Sequence, residues 1–292
     1  MEINKYALFA DVAETKNFTK SGLRMGYTQP GVSRVLKTLE NELGFPLFLR
    51  TKKGIELTSN ARALLPLVRQ LLADNEKIEQ MIASFHSLEN GHLTIACFAS
   101  ISRNWLPSIL SSFQKQYPGI EIELLEGGTD DIVSWIGNSR ADLGLLSRRR
   151  TCGLEWISLY EDPLMAILPE NYPICGEPGF PLSEIKNQPF ILSADGTDYD
   201  IHHVLSQTGI DPNTHFSSKD DLAIITMVAN ELGISILPDL VIRGTAERVQ
   251  ILPLNPFFSR ELGIAYISKQ GLTPAAARFI HVTRETLPEL VS

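Results

Sequence analysis

The sequence TQPGVSRVLKTLENELG, residues 28–44, has the pattern of a short amphipathic helix that ends at Gly44. Thr28 can cap the first turn, and Pro30 lies in that turn, where its missing N–H costs nothing. The apolar residues recur at helical spacing: Val32, Val35, Leu36, Leu39 and Leu43. One face of this helix should therefore be buried while the other faces outward.

The opposite face carries hydrogen-bonding and basic side chains and no carboxylate. Gln and Arg read base edges in a major groove, while Lys and Ser hold phosphates. The face therefore predicts DNA contacts, although a merely solvated helix would also be polar. Its residues are Gln29, Ser33, Arg34, Lys37, Thr38 and Asn41, with Thr28 and Pro30 at the start of the helix.

Two further helices are predicted before this one. The first covers Tyr6–Glu14, and the second begins at Phe18 with Thr19 as its expected N-cap and stops at Gly26. Two helices joined by a short turn, with polar residues at the start of the second, are typical of a helix-turn-helix. Such folds also occur in modules that do not bind DNA, so this alternative stays open.

A small hairpin is predicted over residues 46–58, with Arg50, Lys52 and Lys53 at its tip. A basic wing of this kind gives salt-dependent affinity for the DNA backbone. Residues 1–58 carry nine basic and six acidic side chains, a net charge of +3, whereas the whole chain carries −8. The remaining 234 residues therefore hold a charge of −11, and the basic part is confined to the N-terminal head.

The 292-residue chain is long enough for two or three domains, and its 43% hydrophobic and 21% charged residues are typical of a soluble globular protein. No apolar run is long enough to span a bilayer, and the N-terminus lacks the pattern of a secretory signal. Cys97, Cys152 and Cys175 are too few and too scattered for a disulfide framework or a closed zinc site. We therefore expect a cytoplasmic protein of a bacterial-type cell.

The N-terminal head resembles the DNA-binding domain of LysR-type transcriptional regulators. By this likeness Gln29, Pro30, Ser33 and Arg34 match the DNA-contacting stretch, and Arg50 matches the wing contact. Two departures are Ser21-Gly22 where the family usually has two alanines, and Gly31 where alanine or serine is commoner. The resemblance is carried by Phe18-Thr19, Leu23, Thr28-Gln29-Pro30, Val32-Ser33, Leu39-Glu40, Glu42-Leu43-Gly44, Pro46-Leu47-Phe48, Arg50 and Leu57-Thr58.

Residues 59–88 are predicted to form one long helix, with a local bend near Pro66. Its apolar positions are spaced alternately by four and three residues, which is typical of a coiled-coil seam. We expect the helix to pair with a second subunit, as the resemblance also implies, although packing on its own chain is the alternative. The seam consists of Leu64, Val68, Leu71, Asn75, Ile78, Ile82 and Phe85.

Residues 89–292 alternate strand-like and helix-like segments, which predicts α/β layers with mainly parallel sheets. Such folds bind ligands where strands end and helices begin. This rule selects polar side chains that follow three predicted strands, at Leu93–Phe98, Ile120–Leu125 and Phe190–Ser193, although each of them could be a simple helix cap. The candidate effector-binding residues are Ser100, Ser102, Thr129, Ser193, Asp195 and Thr197.

The same region resembles the family's effector domain, in which two lobes are joined by two crossing strands, as in periplasmic binding proteins. The resemblance implies an effector cleft between the lobes, lined by Ser100, Ser102, Thr129, Ser193 and Asp195. It also implies an α+β multi-domain fold: a winged helix-turn-helix at 1–58, a linker helix at 59–88 and an effector domain at 89–292. Lobe one is expected at about 89–161 and 268–292, and lobe two at about 162–267.

The sequence therefore predicts a ligand-controlled, sequence-specific regulator of transcription and not an enzyme. Its expected partners are an interrupted palindromic operator on double-stranded DNA, a second copy of itself in a homodimer or homotetramer, a small-molecule effector, and RNA polymerase if it activates. No cofactor or metal is expected, because the adjacent His202-His203 diverge on a helix. A peroxide sensor using Cys97 or Cys152 and a DNA-binding scaffold without a ligand remain as alternatives.

Overall fold

The computed structural model describes residues 3–51, 54–85, 91–148, 153–173, 179–193, 199–246 and 248–291. The chain divides near residue 91 into an N-terminal and a C-terminal compact unit. No helix in the described part of the chain has the length and apolar character needed to cross a membrane.

The N-terminal unit is a three-helix head with a hairpin and a long helix. The elements are α1 (Ile3–Thr15), α2 (Phe18–Met25), α3 (Gln29–Leu43), β1 (Phe48–Thr51), β2 (Gly54–Leu57) and α4 (Ser59–Phe85). The core is formed by apolar residues of α1, α3 and α4 together with Leu47, and Phe48 packs edge-on against Phe9 and Phe18. The hairpin strands pair antiparallel, with Phe48 opposite Leu57.

The long helix α4 belongs in part to the core of the head. Thr58 caps it by accepting the N–H of Ala61 at 3.1 Å. Val68 is fully enclosed, and Leu64 packs partly buried in the same core. Farther along, Ile78 and Ile82 are 59% and 52% exposed. The expected seam is therefore not uniform, since its first part is covered by the chain's own head and its second part is open.

The C-terminal unit consists of two lobes on one curved, mixed sheet. The strands are β3 (Gly91–Cys97), β4 (Ile120–Glu126), β5 (Leu143–Ser147), β6 (Glu155–Pro169), β7 (Phe180–Pro181), β8 (Phe190–Ser193), β9 (Thr214–Ser218), β10 (Ser235–Pro238), β11 (Val249–Asn255) and β12 (Ser259–Tyr266). In the described residues they run in the order β4-β3-β5-β12-β6-β11-β7, with β10 also paired to β6 and with β8 and β9 forming a separate pair.

Helices cover the faces of the sheet and close two separate hydrophobic cores. Trp105 separates the first two of these helices, and Pro107 lies in the first turn of the second. The helices are α5 (Ala99–Asn104), α6 (Leu106–Gln116), α7 (Thr129–Gly137), α8 (Tyr199–Thr208), α9 (Asp221–Ala229), α10 (Asp239–Ile242) and α11 (Pro274–Val291).

The sheet is less parallel than the sequence suggested. β3 pairs with β5 in parallel, and β8 with β9, but β12 is antiparallel to both β5 and β6. The reason is that β6 and β12 are the two strands that cross between the lobes, and they run in opposite directions. Leu262, Ile264 and Tyr266 of β12 are buried in the core of lobe one.

Candidate functional site

The first candidate site is the outward face of α3. Thr28 accepts the N–H of Gly31 at 3.3 Å and caps the helix. Gln29, Arg34 and Lys37 are exposed on one side, whereas the apolar residues on the other side are buried in the head. Lys37 lies 3.8 Å from a carboxylate oxygen of Glu40, a loose contact between partly solvated groups. The face is therefore available to a polar, negatively charged partner.

Helix α2 and the turn before α3 depend on a helix cap and on two glycines. Asn17, and not the expected Thr19, is the N-cap of α2, because its side chain accepts the N–H groups of Thr19 and Lys20 at 2.9 and 3.0 Å. Gly26 ends α2 in the left-handed region at φ 73°. A Cβ on Gly22 would lie 2.6 Å from the carbonyl oxygen of Tyr27, so a larger residue here would require the backbone of the turn to shift.

A groove of about 600 Å³ opens beside α3. It lies where the start of α2, the start of α3 and the hairpin meet. Lys16 and Gln29 line it together with the capping Asn17 and with Thr19. The groove brings a cation and several hydrogen-bonding groups to the same side as the exposed face of α3.

The second candidate site is a cleft of about 430 Å³ between the lobes of the C-terminal unit. Lobe one provides the end of β3, the start of α5 and the end of β4, while lobe two provides the start of α9 and part of α10. The crossing strand β12 adds Arg260. The lining residues are Phe98, Ala99, Ser100, Arg103, Glu126, Gly127, Gly128, Lys219, Asp220, Asp221, Leu222, Val241 and Arg260.

A buried ion pair joins the crossing strands beside the cleft. Arg260 and Asp162 are opposite residues of β12 and β6, and their side chains are 4% and 0% exposed. The Nε of Arg260 donates to Oδ2 of Asp162 at 2.9 Å, and Oδ1 accepts the N–H of Leu240 at 3.0 Å. Burial raises the pKa of Asp162, and the charge of Arg260 opposes this shift. The guanidinium also lies over the ring of Phe98, 5.6 Å from its centroid.

The carboxylates of the cleft are oriented by neutral donors. Ser102 donates to Glu126, and the carboxylate of Asp220 accepts the N–H groups of Leu222 and Ala223 at 2.9 and 3.3 Å. Asp221 accepts a hydrogen bond from the side chain of Ser193, and burial is the largest effect on this carboxyl group and raises its pKa.

Two hydrogen bonds link α5 of lobe one to α10 of lobe two. Arg103 donates to the carbonyl oxygen of Val241 at 2.8 Å, and Asn104 donates to that of Leu240 at 2.8 Å. Leu240 in turn donates its N–H to Asp162. One edge of the cleft is therefore tied to the buried ion pair, so a ligand that moves α5 also acts on the lobe junction.

Two family models match this chain. The model described as "Bacterial regulatory helix-turn-helix protein, lysR family" matches residues 3–62, and "LysR substrate binding domain" matches residues 86–288. The chain belongs to the LysR family. The predictions of a winged helix-turn-helix, a two-lobed α/β domain and a transcriptional regulator rather than an enzyme are thereby confirmed.

Similar LysR-family proteins span the full chain. The uncharacterized regulator YvbU of Bacillus subtilis is 29% identical over 98% of each chain. A full-length OxyR variant from Pseudomonas aeruginosa covers 98% of this chain and 97% of its own at 19% identity, with a TM-score of 0.76. The regulatory domain of CcmR from Synechocystis PCC6803, in complex with 2-PG, covers 67% of this chain and 97% of its own at 21% identity and a TM-score of 0.62.

Those predicted effector residues that the structure describes lie in or beside the cleft between the lobes. Ser100 is buried and lines the cleft, while Ser102 and Ser193 act on it through Glu126 and Asp221. Thr129 is buried directly after the lining residues Gly127 and Gly128. Outside the described residues lie Asp195 and Thr197, as do Lys52 and Lys53 of the wing and the side chain of Arg50.

Sequence reasoning missed most of the charged groups in the cleft. Lys219 and Asp220 look like an ordinary helix start, and Arg103 looks like a residue on a solvated helix. The one available signal was Arg260, a lone cation in a strand that becomes apolar from Leu262 to Tyr266. In the described residues, no cluster of three or more His, Cys, Asp or Glu side chains could hold a metal ion.

Cys97 is buried at the end of β3. Burial, with a smaller contribution from the charge of Glu126, raises the pKa of the Cys97 thiol to about 12. A thiol that stays protonated is a poor nucleophile, which argues against Cys97 as a peroxide-sensing residue. Cys152, the other candidate, lies outside the described residues, as does Cys175.

Proposed function

We propose that this LysR regulator reads DNA with the exposed face of α3. The observation that carries the proposal is the outward position of Gln29, Arg34 and Lys37 on a helix whose other side is buried. Arg and Gln match base edges in the major groove, and Lys matches phosphates. Thr28, Pro30 and Ser33 complete the contact at the start of the helix, and the wing residues Arg50, Lys52 and Lys53 add backbone contacts.

Binding assays with the full-length protein test this assignment. The probes are a duplex selected by the protein from a random pool and an unselected duplex of the same length. We expect Arg34→Ala to lose about 1–3 kcal/mol on the selected duplex and to relax its base preference, because a bidentate base contact is lost. Lys52→Ala should weaken both duplexes alike and reduce the slope of affinity against salt.

Lys115→Ala, which removes an exposed lysine of the C-terminal unit, is the matched control and should bind both duplexes as the wild type does. Equal losses on the selected and the unselected duplex for Arg34→Ala would contradict the assignment of this residue to base reading.

The protein acts as a homo-oligomer, with a dimer formed through residues 59–88. Support comes from the exposed side chains of Ile78, Met81 and Ile82 on the second part of α4. A dimer presents two reading heads to one duplex, which matches an interrupted palindrome on chromosomal DNA in the cytoplasm. Pairs of dimers forming a tetramer, and contact with RNA polymerase in an activating complex, belong to the same proposal.

The effector domain, residues 89–292, binds a small molecule between its lobes. Support comes from the polar cleft with Ser100 in its lining, next to Ser102, Thr129 and Ser193. Asp195 and Thr197 follow β8 and belong to the same proposed site. The CcmR regulatory domain, which shares the fold, carries 2-PG. A ligand shifts the balance between two arrangements of a regulator only by its difference in affinity for them.

Thermal-shift screening of the full-length protein against a metabolite library tests the effector site. A ligand that binds the folded state raises the melting temperature by mass action. We expect at least one compound to do so and also to change the affinity for the selected duplex. A library without any hit would favour a DNA-binding scaffold that has no effector.

A further inference from the structure

The cleft between the lobes contains charges of both signs that pair only in part, since Arg260 forms an ion pair with Asp162 and its charge also acts on Asp221. Arg103 and Lys219 bring two of its cations, and no carboxylate of the described residues forms an ion pair with either. Glu126, Asp220 and Asp221 bring its lining carboxylates, and each is held by a hydroxyl or a backbone N–H. Opposite charges that stay apart in a cleft are matched by a ligand that carries both signs.

Arg260, which lines the same cleft, has a side-chain nitrogen without a hydrogen-bond acceptor. Its side chain is almost completely buried, and its Nη2 lies 2.8 Å from Oδ2 of Asp162. The angle there forms no hydrogen bond, so the Nη2 atom is buried without a hydrogen-bond acceptor. Leaving a charged donor unsatisfied is costly, and Arg260 lines the cleft. The Nη2 atom itself is enclosed by protein atoms, so Arg260 would act on an acid group bound in the cleft through its charge.

The charge balance argues against a simple anion or a simple cation. Arg103, Lys219 and Arg260 face four carboxylates when Asp162 is counted with the three that line the cleft. An anion alone would leave the lining carboxylates uncompensated, and a cation alone would leave Arg103 and Lys219 uncompensated. The volume of about 430 Å³ lies at the small end of the range for metabolite pockets, roughly 300–1,000 Å³.

We propose that the effector is a small zwitterion, an amino acid in the broad sense, held with its acid group toward the arginines and Lys219 and its ammonium group toward Glu126, Asp220 and Asp221. The inference rests on the proposed function of the cleft as the effector site. Arg103 also holds the carbonyl oxygen of Val241 across the lobes, so an acid group bound there acts on the lobe junction.

The test uses the full-length protein and matched sets of three compounds. Each set contains an α-, β- or γ-amino acid, the same acid with hydrogen in place of the ammonium group, and the amine that lacks the acid group. Thermal shift followed by calorimetry measures binding. We expect at least one amino acid to raise the melting temperature and to bind about tenfold or more tightly than both of its analogues, because each analogue loses a charge-assisted contact.

Variants then locate the ammonium group. Glu126→Gln should weaken the amino acid about tenfold or more and leave the affinity for the deaminated acid unchanged. Glu121→Gln is the matched control, since Glu121 is an exposed carboxylate of the same strand that does not line the cleft. The melting temperature of each variant without ligand shows whether it folds.

The outcomes separate the two proposals. If a deaminated acid binds as tightly as its amino acid, or if the metabolite library contains hits but no zwitterion binds, the zwitterion is wrong and the effector site stands. If no compound of any class binds, both the zwitterion and the effector site are wrong. Loss of amino-acid binding in Glu121→Gln as large as in Glu126→Gln would also overturn the assignment of the ammonium position.

Discussion

Replacing Asp162 by Asn tests the buried ion pair at the lobe junction. The variant keeps the shape of the side chain but leaves Arg260 charged, only 4% exposed and without its ion-pair partner. Removing one partner of a buried pair costs about 3–5 kcal/mol, because an uncompensated charge remains. For a domain of this size 1 kcal/mol lowers the melting temperature by roughly 2–4 °C, so we expect a decrease of about 10 °C.

Thermal and urea unfolding of the full-length protein, followed at the transition of the C-terminal unit, measure the effect. Arg148→Ala is the control, because Arg148 forms an exposed pair with Glu261, 3.0 Å apart, at the neighbouring position of β12. That variant should lose no more than about 1 kcal/mol. The double variant Asp162→Leu/Arg260→Met removes both charges and should recover most of the stability.

The reasoning would be refuted if Asp162→Asn unfolded within about 1 kcal/mol of the wild type. It would also be refuted if the double variant were as unstable as the single one, because the cost would then come from lost packing or hydrogen bonds rather than from an unpaired charge.

Three further changes test other parts of the chain. Ile78→Asp/Ile82→Asp should weaken the oligomer without unfolding the head, since both side chains are exposed. Light scattering after gel filtration measures the mass, with Glu79→Gln as the control. An unchanged mass at low concentration would place the interface elsewhere. Gly22→Ala should destabilise the head by about 1–3 kcal/mol in urea unfolding, because its Cβ would meet the Tyr27 carbonyl oxygen, whereas Gly137→Ala, with open space around it, should cost little; equal effects would contradict the steric argument. With the Cys97 pKa raised to about 12, the thiol stays protonated well above neutral pH, so mass spectrometry at pH 8 should find Cys97 unlabelled by a disulfide reagent in the folded protein and labelled after unfolding; rapid labelling of the folded protein would contradict this.

The local features of the head could be predicted because they depend on neighbours in sequence. The Thr28 cap, the Pro30 position and the Gly26 stop follow from short-range hydrogen bonds and backbone geometry. The cap of α2 was misplaced by two residues, since Asn17 and Thr19 are both good N-caps and the pattern alone does not choose between them.

The cleft could be predicted only in part. Ser100 follows the end of a strand, and the rule for α/β folds finds it. The charged lining combines Arg103 with Asp220 and Arg260, which lie more than a hundred residues later in the sequence, and only the crossing of β6 and β12 brings them together. The polarity of a single residue in the sequence does not contain that information.

The seam of α4 shows how tertiary packing changes a periodic pattern. The four–three spacing is the same along the whole helix, so the sequence offers no point at which its partner should change. The head supplies a hydrophobic surface beside the first turns, and Val68 is buried there, while Ile78 is exposed. Which surface covers each apolar residue thus depends on the fold, not on the spacing.

Because Leu64 and Val68 belong to the same core as Val32 and Leu36 of α3, the base of α4 and the reading helix behave as one solid piece. Helix α4 is thus attached to the head by side-chain packing rather than by a flexible linker. In the proposed dimer, a rotation of the far end of α4 would therefore also turn the exposed face of α3. In such a dimer, a small change in the angle between the two α4 helices is enough to change whether both heads face successive turns of the same duplex.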